Sequence, residues 1–341
     1  MQPLGRICIF GAGSVGCYIG GRLLSAGARV RLIGRARLAQ QLRADGLKLS
    51  DLRGASQRVP AEQIDFVVDD ANAAADAGLV LITVKSAATE QAGQTLASVL
   101  KPGTTVISFQ NGLGHAATLQ RWLPQCVVLA GMVPFNVLNR GGGAFHQGSA
   151  GQLMVQGSAA LRPYLASFAA AGLAIEQRND MPAVQWGKLL LNLNNSINAL
   201  CGLPLKVELS QRSYRRCCAA AQYEAIQILA AAGQAVAKLT PLPVAWLPRM
   251  LELPDFLFRL AANRMLAIDP LARSSMWEDL EAGRSTEVDW LNGEIVRLAV
   301  RSGRHAPINQ RLLELIRAAE RGGRRDWPGD ALLAELVRVR A

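Results

Sequence analysis

The first 178 residues alternate short apolar runs with segments of helical length. The runs include RICIFGAG, ARVRLIG, GLVLITVK, TTVISFQN and CVVLAGM. Strands separated by helix-length segments are typical of a parallel α/β sheet. A strand in QLMVQG, a helix in ALRPYLASFAAAGL and a strand in AIEQRN continue the pattern. We therefore predict an N-terminal α/β domain over residues 1–179.

The pattern changes beyond residue 180 to long stretches of alanine and leucine at helical period. The clearest stretches are Val184–Leu200, Ser213–Ala232 and Glu287–Ser302. Prolines interrupt these stretches without forming a linker. We predict an all-helical second domain over residues 180–322 and a loosely attached basic tail over residues 323–341.

The composition is that of a globular chain, because 50% of its 341 residues are apolar and only 18% are charged. The chain has 37 Lys and Arg against 26 Asp and Glu, a formal net charge of +11. Such a charge suits nucleic acid, a membrane surface or an anionic small molecule. No aromatic-interleaved RNA motif accompanies it, and the basic residues are spread through both halves. We predict a small anionic ligand and no nucleic-acid partner.

The six cysteines are scattered, which indicates reduced thiols and a cytoplasmic protein. None has the two-residue spacing of a zinc site and the three histidines are far apart, so we expect no metal. The N-terminus turns glycine-rich too early for a signal peptide. No uncharged apolar run reaches 18 residues, so no membrane span is expected.

A glycine-rich turn follows the apolar strand Ile7–Phe10 and opens the helical segment Val15–Leu24. The first glycine permits a tight turn, the second lets the backbone approach a pyrophosphate, and the third lets helix and strand pack closely. A purely structural glycine turn is the alternative. The context favours a Rossmann-type dinucleotide site formed by Gly11, Ala12, Gly13, Ser14, Val15 and Gly16.

An NAD-preferring site usually has an acid where the second strand ends, but this chain has Gly34-Arg35-Ala36-Arg37 there. A guanidinium can hold a 2′-phosphate through paired hydrogen bonds. We therefore predict NADP as the cofactor and Arg35 as its phosphate contact. Alternatively, both arginines are solvated loop charges.

Two further strand ends lie on the edge where parallel α/β sheets bind ligands. Lys85 ends VLITVK, and Asn111 ends VISFQN before a glycine. A surface lysine and an Asn-Gly turn are the alternatives to a functional role.

Five segments together resemble the ketopantoate reductase family: GAGSVG, TVKSAATEQ, SFQNGLG, KLLLNLNNSINAL and SSMWEDLEAGRSTEVDWLNG. The resemblance implies a nucleotide domain joined to a helical domain like that of 6-phosphogluconate dehydrogenase. It also implies hydride transfer from NADPH to the C2 carbonyl of ketopantoate, giving (R)-pantoate for pantothenate and coenzyme A synthesis.

Lys188 matches the catalytic lysine of that family. Hydride addition leaves charge on oxygen, which a nearby cation or proton donor stabilises. A lysine that snorkels at the helix start is the alternative. Asn192, four residues on, shares the helix face of Lys188 and could hold the substrate hydroxyl or position the lysine.

The second substrate asparagine of the family lies eight residues after the lysine, where this chain has Ser196. Asn198-Ala199-Leu200 looks like the family's Asn-Pro-Leu turn displaced by two positions. We predict Asn198 for this role, with Asn195 as the open alternative.

The resemblance assigns roles to further polar residues. Ser275 matches the position that binds the substrate carboxylate, although it could simply cap a helix. Glu287 matches the acid that contacts the nicotinamide riboside and orients the lysine. Asn111 matches a residue between nicotinamide and substrate, and Lys85 and Asn136 match cofactor contacts.

Two other functions are compatible with these residues. The same fold could reduce another branched 2-oxo acid, because the motifs do not define the pocket wall. A non-catalytic NADP-binding regulator is the second alternative, but it would not need Lys188, Ser275 and Glu287 together. The long apolar helices also make a homodimer plausible.

Overall fold

The computed structural model describes residues 5–261 and 269–339. The chain divides into two compact units, Met1–Met181 and Pro182–Ala341. The first unit is mixed α/β around a mostly parallel sheet, and the described part of the second is helical. The predicted fold class is confirmed.

The main sheet of the first unit has the order β12-β11-β8-β7-β6-β1-β2-β5. Its neighbouring strands pair in parallel except β11 and β8, which pair antiparallel and so depart from the parallel expectation. The carboxyl ends of the parallel strands meet at one edge. The strands are β1 (Arg6–Phe10), β2 (Val30–Gly34), β5 (Asp65–Val68), β6 (Ala77–Ile82), β7 (Thr105–Ser108), β8 (Val127–Met132), β11 (Leu153–Gln156) and β12 (Ile175–Arg178).

Both faces of this sheet are covered. Ile7 and Ile9 of β1 belong to one apolar cluster, whereas Cys8 between them belongs to another. Burial on both faces explains why the central strands are continuous apolar runs. The helices of this unit are α1 (Ser14–Ser25), α2 (Ala36–Asp45), α3 (Thr89–Ala97), α4 (His115–Trp122) and α5 (Arg162–Ala170).

A second sheet, which the sequence did not predict, has the order β4-β3-β10-β9. Its strands alternate weakly; in β3, for example, Leu47 and Leu49 are buried and Lys48 is exposed. A Cβ atom at Gly21 of α1 would lie 2.8 Å from Leu49, so glycine lets the helix and this sheet pack closely. The strands are β3 (Leu47–Asp51), β4 (Ser56–Val59), β9 (Val137–Asn139) and β10 (Ala144–Gln147).

The second unit is built around the 20-residue helix α9 (Arg212–Ala231). Its buried face includes Tyr214, Cys217, Cys218, Ala221 and Leu229. The other described helices are α6 (Met181–Asn192), α7 (Asn194–Cys201), α8 (Leu205–Leu209), α10 (Leu247–Leu251), α11 (Asp255–Ala261), α12 (Ser275–Glu281), α13 (Asn292–Arg301), α14 (Pro307–Glu320) and α15 (Gly329–Arg338).

The prediction of a loosely attached basic tail is wrong. Helix α15 packs on α9 with Leu332 and Leu336 fully buried. The hydroxyl of Tyr214 donates to the Trp327 carbonyl at 2.9 Å, which fixes the chain just before this helix. The basic residues indicated solvent exposure, but the leucine spacing after them forms an amphipathic helix.

Candidate active site

The glycine-rich turn connects β1 to α1 in the first unit. Gly11 has φ of 101°, and a Cβ there would lie 2.5 Å from Val84. A Cβ at Gly16 would lie 2.6 Å from the Thr83 hydroxyl. A Cβ at Gly13, by contrast, would have its nearest neighbour 3.9 Å away. Packing therefore explains Gly11 and Gly16, whereas Gly13 leaves space beside its backbone.

The start of α1 is suited to an anion. Its N-cap residue is Gly13, no side chain caps it among the described residues, and its first turn has no acid. The N–H groups of a first helical turn have no partner within the helix and carry partial positive charge. The predicted residues Ser14 and Val15 lie in this turn, and Ala12 precedes its N-cap residue. The turn therefore fits the pyrophosphate of a dinucleotide.

Arg35 lies at the end of β2 as the N-cap residue of α2. Both Arg35 and Arg37 are exposed, so each can reach a ligand without displacing a core contact. The neighbouring β5 ends close to the same point, because Asp69 donates its N–H to the Gly34 carbonyl at 3.0 Å. The two arginines are thus beside the strand ends where the adenosine half of a dinucleotide binds.

Lys85 and Asn111 follow β6 and β7, on the same edge of the sheet as the glycine turn. The carbonyl of Asn111 accepts hydrogen bonds from Ser86 Oγ at 3.1 Å and from His115 Nε2 at 2.7 Å. Lys85 is exposed and His115 is buried. No local sequence pattern indicates the role of Ser86 and His115, which hold the Asn111 peptide in place.

Asn136 lies in the loop after β8, with its side chain exposed. Its N–H donates to Ser149 Oγ and its carbonyl accepts from Gly148 N–H, each at 2.9 Å. These bonds fix the backbone of Asn136. They do not test the predicted contact between its side chain and the cofactor.

In the second unit, Lys188 is the eighth residue of α6, which begins at Met181. The alternative of a lysine that snorkels at a helix start is therefore wrong, because MPAVQW also belongs to the helix. Burial lowers the pKa of Lys188 to about 8. Asn192 ends the same helix and is buried. The four-residue spacing puts both side chains on one helix face.

Asn198 has a structural role in place of the predicted substrate contact. It is fully buried, and its Nδ2 donates to the Leu203 carbonyl at 2.9 Å and to Glu208 Oε2 at 2.6 Å. Its Oδ1 accepts from the Ser274 N–H at 2.8 Å. All three bonds connect parts of the fold, so its amide is not available to a substrate. The alternative, Asn195, is half-buried.

Helix α12 is capped by Ser274, not by Ser275. The Ser274 hydroxyl accepts from the Trp277 N–H at 3.1 Å and donates to the Asn195 carbonyl at 3.2 Å. Ser275 is the first helical residue and is half-buried. Because the capping role falls to Ser274, the hydroxyl of Ser275 is not needed for this cap.

Glu287 is 7% exposed and precedes a short 3-10 turn, Val288–Trp290. The Thr286 N–H donates to Glu320 Oε1 at 2.7 Å, which fixes the backbone on one side. On the other side, the fully buried Asn292 donates to Asn309 Oδ1 at 3.0 Å. Glu287 is therefore held in a rigid segment.

Within residues 5–261 and 269–339, no group of three or more His, Cys, Asp or Glu side chains could hold a metal ion. Among the helices formed by these residues, none is long and apolar enough to cross a membrane.

Family models match most of the chain. The model Ketopantoate reductase PanE/ApbA matches residues 7–159, and Ketopantoate reductase PanE/ApbA C terminal matches residues 180–320. The two matches cover the glycine turn, Lys188, Ser275 and Glu287.

Similar proteins extend over nearly the full length. The 2-dehydropantoate 2-reductase of Halobacterium salinarum is 27% identical over 325 residues, which are 93% of this chain and 100% of that protein. A PanE/ApbA family ketopantoate reductase structure from Ralstonia eutropha is 30% identical with a TM-score of 0.78, covering 93% of this chain and 99% of that one. A ternary structure of D-mandelate dehydrogenase with NADH and anilino(oxo)acetate has the same fold, at 22% identity and a TM-score of 0.75 over 93% and 99% of the chains.

Proposed function

The chain belongs to the ketopantoate reductase family, and we propose that it reduces the C2 carbonyl of 2-dehydropantoate to (R)-pantoate with NADPH. It is an oxidoreductase of the pantothenate and coenzyme A pathway, as the family implies. The observation that carries the proposal is Lys188, a partly buried lysine with a pKa of about 8, one helical turn from Asn192. Side chains with strongly shifted pKa values cluster at functional sites.

A nicotinamide dinucleotide fits the first unit, because Gly13 leaves space beside its backbone at an uncapped helix start. Arg35 is our proposed contact for a 2′-phosphate, which makes NADP the preferred cofactor. When bound, the reduced nicotinamide supplies the hydride. We assign Gly11 to Gly16 to the pyrophosphate, and Lys85, Asn111 and Asn136 to the remaining cofactor contacts.

Lys188 is the proposed proton donor. Its ammonium group would donate a hydrogen bond to the carbonyl oxygen, stabilise the charge that develops there and deliver a proton. With a pKa of about 8 the ammonium form predominates at neutral pH, and the proton is released more readily than from an ordinary lysine. Burial is the cause of this shift, since the charged form loses hydration.

Four other side chains have proposed roles. Asn192 would hold the substrate hydroxyl, and Ser275 at the start of α12 would bind the carboxylate through its hydroxyl. Glu287 would contact the nicotinamide riboside and orient Lys188. Asn111 would contribute an amide between nicotinamide and substrate.

A second candidate is reduction of a different 2-oxo acid with the same chemistry. The D-mandelate dehydrogenase with the same fold favours considering it, since its structure contains NADH and an oxo acid analogue. In this proposal Lys188 and Ser275 would act on the common 2-oxo acid group, and of the assigned residues only Asn192 would contact the rest of the acid. A non-catalytic NADP-binding regulator is less well supported, because it has no use for a lysine with a lowered pKa.

The test is NADPH oxidation by the purified protein with ketopantoate and a panel of other 2-oxo acids. We expect turnover that prefers ketopantoate and falls about 10²–10⁴-fold in Lys188→Ala, as for a lost general acid. Lys101→Ala is the matched control, because Lys101 is an exposed lysine in the first unit. Preference for another acid would favour the second candidate, and NADPH binding without any turnover would favour the regulator.

We also propose a cytoplasmic homodimer. All six cysteines are free and buried, which suits a reducing compartment. Phe256, Leu260 and Leu271 are at least 70% exposed in the second unit, and we propose these apolar side chains as the dimer contact. Light scattering of the purified protein would report the mass of a dimer, and a monomer would contradict the proposal.

A further inference from the structure

A buried carboxyl group, that of Glu208, lies next to helix α7 in the second unit. Glu208 of α8 is 0% exposed, and its Oε2 atom accepts from Asn198 Nδ2 at 2.6 Å. Its Oε1 atom has no hydrogen-bond partner among the described residues. A buried carboxylate with an unsatisfied oxygen is costly, whereas a carboxylic acid avoids the cost of a buried charge.

Burial favours the neutral form of Glu208, against side-chain hydrogen bonds from Asn198 and Asn194 that lower its pKa. Titratable Cys201 faces it from α7, and Tyr214, Cys217 and Cys218 face it from α9. No Lys or Arg among the described residues forms an ion pair with it.

Arg273, which acts electrostatically on Cys201, bonds to the Gly202 carbonyl and stacks on Trp277. The Oδ1 atom of Asn194, whose side chain also contacts Glu208, is buried without a donor. A proton on Glu208 would supply the missing donor to this region. Burial raises the pKa of Glu208 to about 8, in agreement with the geometry.

Asn198 connects this acid to the start of α12. Its Nδ2 bonds to Glu208 and its Oδ1 accepts from the Ser274 N–H. Ser274 caps the helix, and Ser275 is the next residue. Two hydrogen bonds thus connect the Glu208 carboxyl to the backbone of Ser274, the residue before Ser275.

We propose that Glu208 is a positioning residue, which in its neutral form fixes the Asn198 amide and thereby holds Ser274 and Ser275 in the arrangement that binds the substrate carboxylate. The role of Ser275 rests on the proposed function. Glu208 has no contact with substrate in this proposal. Ionisation of Glu208 would add a negative charge near the residues that we propose to bind the anionic substrate.

The neutral state is tested by thermal unfolding of wild type and Glu208→Gln between pH 5 and 9. A carboxyl whose folded pKa is raised stabilises the fold fully below its unfolded pKa, and this contribution is lost as pH rises to the folded value. Glutamine cannot ionise. We therefore expect the Tm of Glu208→Gln to rise relative to that of wild type as pH rises from 5 to about 8. A difference independent of pH would overturn the proposal.

The positioning role is tested by kinetics with the full-length protein. We expect Glu208→Ala to raise KM for the 2-oxo acid about 3–10-fold, as for one lost hydrogen bond. Glu208→Gln should keep KM near wild type, and the Kd for NADPH should not change in either variant. Equal KM values in the Ala and Gln variants would overturn the role. The exposed Glu62→Gln is the control.

A pH series of KM provides a second readout in case Glu208→Ala does not fold. We expect KM for the 2-oxo acid to rise above pH 8 more steeply in wild type than in Glu208→Gln, while titration of Lys188 affects both alike. Parallel profiles would overturn the role. If the wild type reduces no 2-oxo acid, the proposed function fails and the positioning role fails with it, while the unfolding series still decides the state of Glu208.

Discussion

His115 donates from Nε2 to the main-chain carbonyl of Asn111 across 2.7 Å, one helical turn back along the chain. A carbonyl can only accept, so the proton must be on Nε2. The other ring nitrogen, Nδ1, lies 3.0 Å from Thr89 Oγ1 in the same buried cluster. This arrangement fixes the peptide whose side chain we assign to the space between nicotinamide and substrate.

We predict that His115→Ala lowers kcat/KM for the 2-oxo acid about 3–10-fold, because the Asn111 peptide loses one neutral hydrogen bond. The Kd for NADPH, measured by fluorescence titration, should change less than kcat/KM. His305→Ala is the control, since His305 is exposed in the second unit. If both variants behave like wild type, the bond to Asn111 has no role in turnover.

Lys188 makes turnover dependent on pH. A general acid must be protonated, and the pKa of Lys188 is lowered to about 8. We therefore expect kcat/KM to be constant at neutral pH and to fall as pH rises through about 8. An ordinary lysine would retain activity to about pH 10, so a fall only at that pH would contradict the assignment.

The same lowered pKa predicts that Lys188→Met stabilises the fold while it abolishes turnover. Below pH 8 the folded protein bears the cost of a desolvated ammonium group, on the order of 1–3 kcal/mol. The cost disappears as pH rises from the folded value toward the unfolded value of 10.5. Thermal unfolding should therefore show a higher Tm for Lys188→Met at pH 7 and a smaller difference near pH 10. A lower Tm at pH 7 would refute this reasoning.

The sequence predicted those features that repeat along the chain or lie close together in it. The apolar runs located the central strands, since each is buried on both faces, and the glycine spacing located the first turn. The short strands of the second sheet escaped prediction because only a few alternating residues mark them. Leu332 and Leu336 were overlooked for a similar reason, since a basic segment precedes them.

Contacts between residues far apart in the chain produce no repeating pattern in the sequence. Asn198 bonds to Ser274, 76 positions away, so its structural role could not be read from its neighbours in sequence. Glu208 lies in a five-residue helix, too short for a hydrophobic period to show that it is buried. Family resemblance identified the residues predicted to contact ligand. It did not identify residues such as Glu208, which we propose to hold them in position.

Arg35 is expected to determine cofactor preference. Loss of a charge-assisted hydrogen bond costs about 1.5–3 kcal/mol, so Arg35→Ala should raise KM for NADPH about 10–100-fold. KM for NADH should hardly change, because NADH has no 2′-phosphate. Arg37→Ala is the matched control on the same exposed turn. A larger effect of Arg37→Ala would transfer the phosphate contact to Arg37.

Gly13 and Gly16 should respond differently to the same substitution. A Cβ at Gly13 has no atom closer than 3.9 Å, so Gly13→Ala should keep the wild-type Tm. The added methyl group would occupy the space we assign to the pyrophosphate, and the Kd for NADPH should rise at least about tenfold. A Cβ at Gly16 would lie 2.6 Å from the Thr83 hydroxyl and 2.9 Å from the Gly11 carbonyl.

Gly16→Ala should therefore lower Tm, because helix and strand must separate to admit the methyl group. Calorimetry and NADPH titration of the two variants distinguish a binding defect from a folding defect. If Gly13→Ala binds NADPH as tightly as wild type, the pyrophosphate does not approach the backbone at this glycine. In that case, the cofactor would have to be assigned to a different part of the sheet edge.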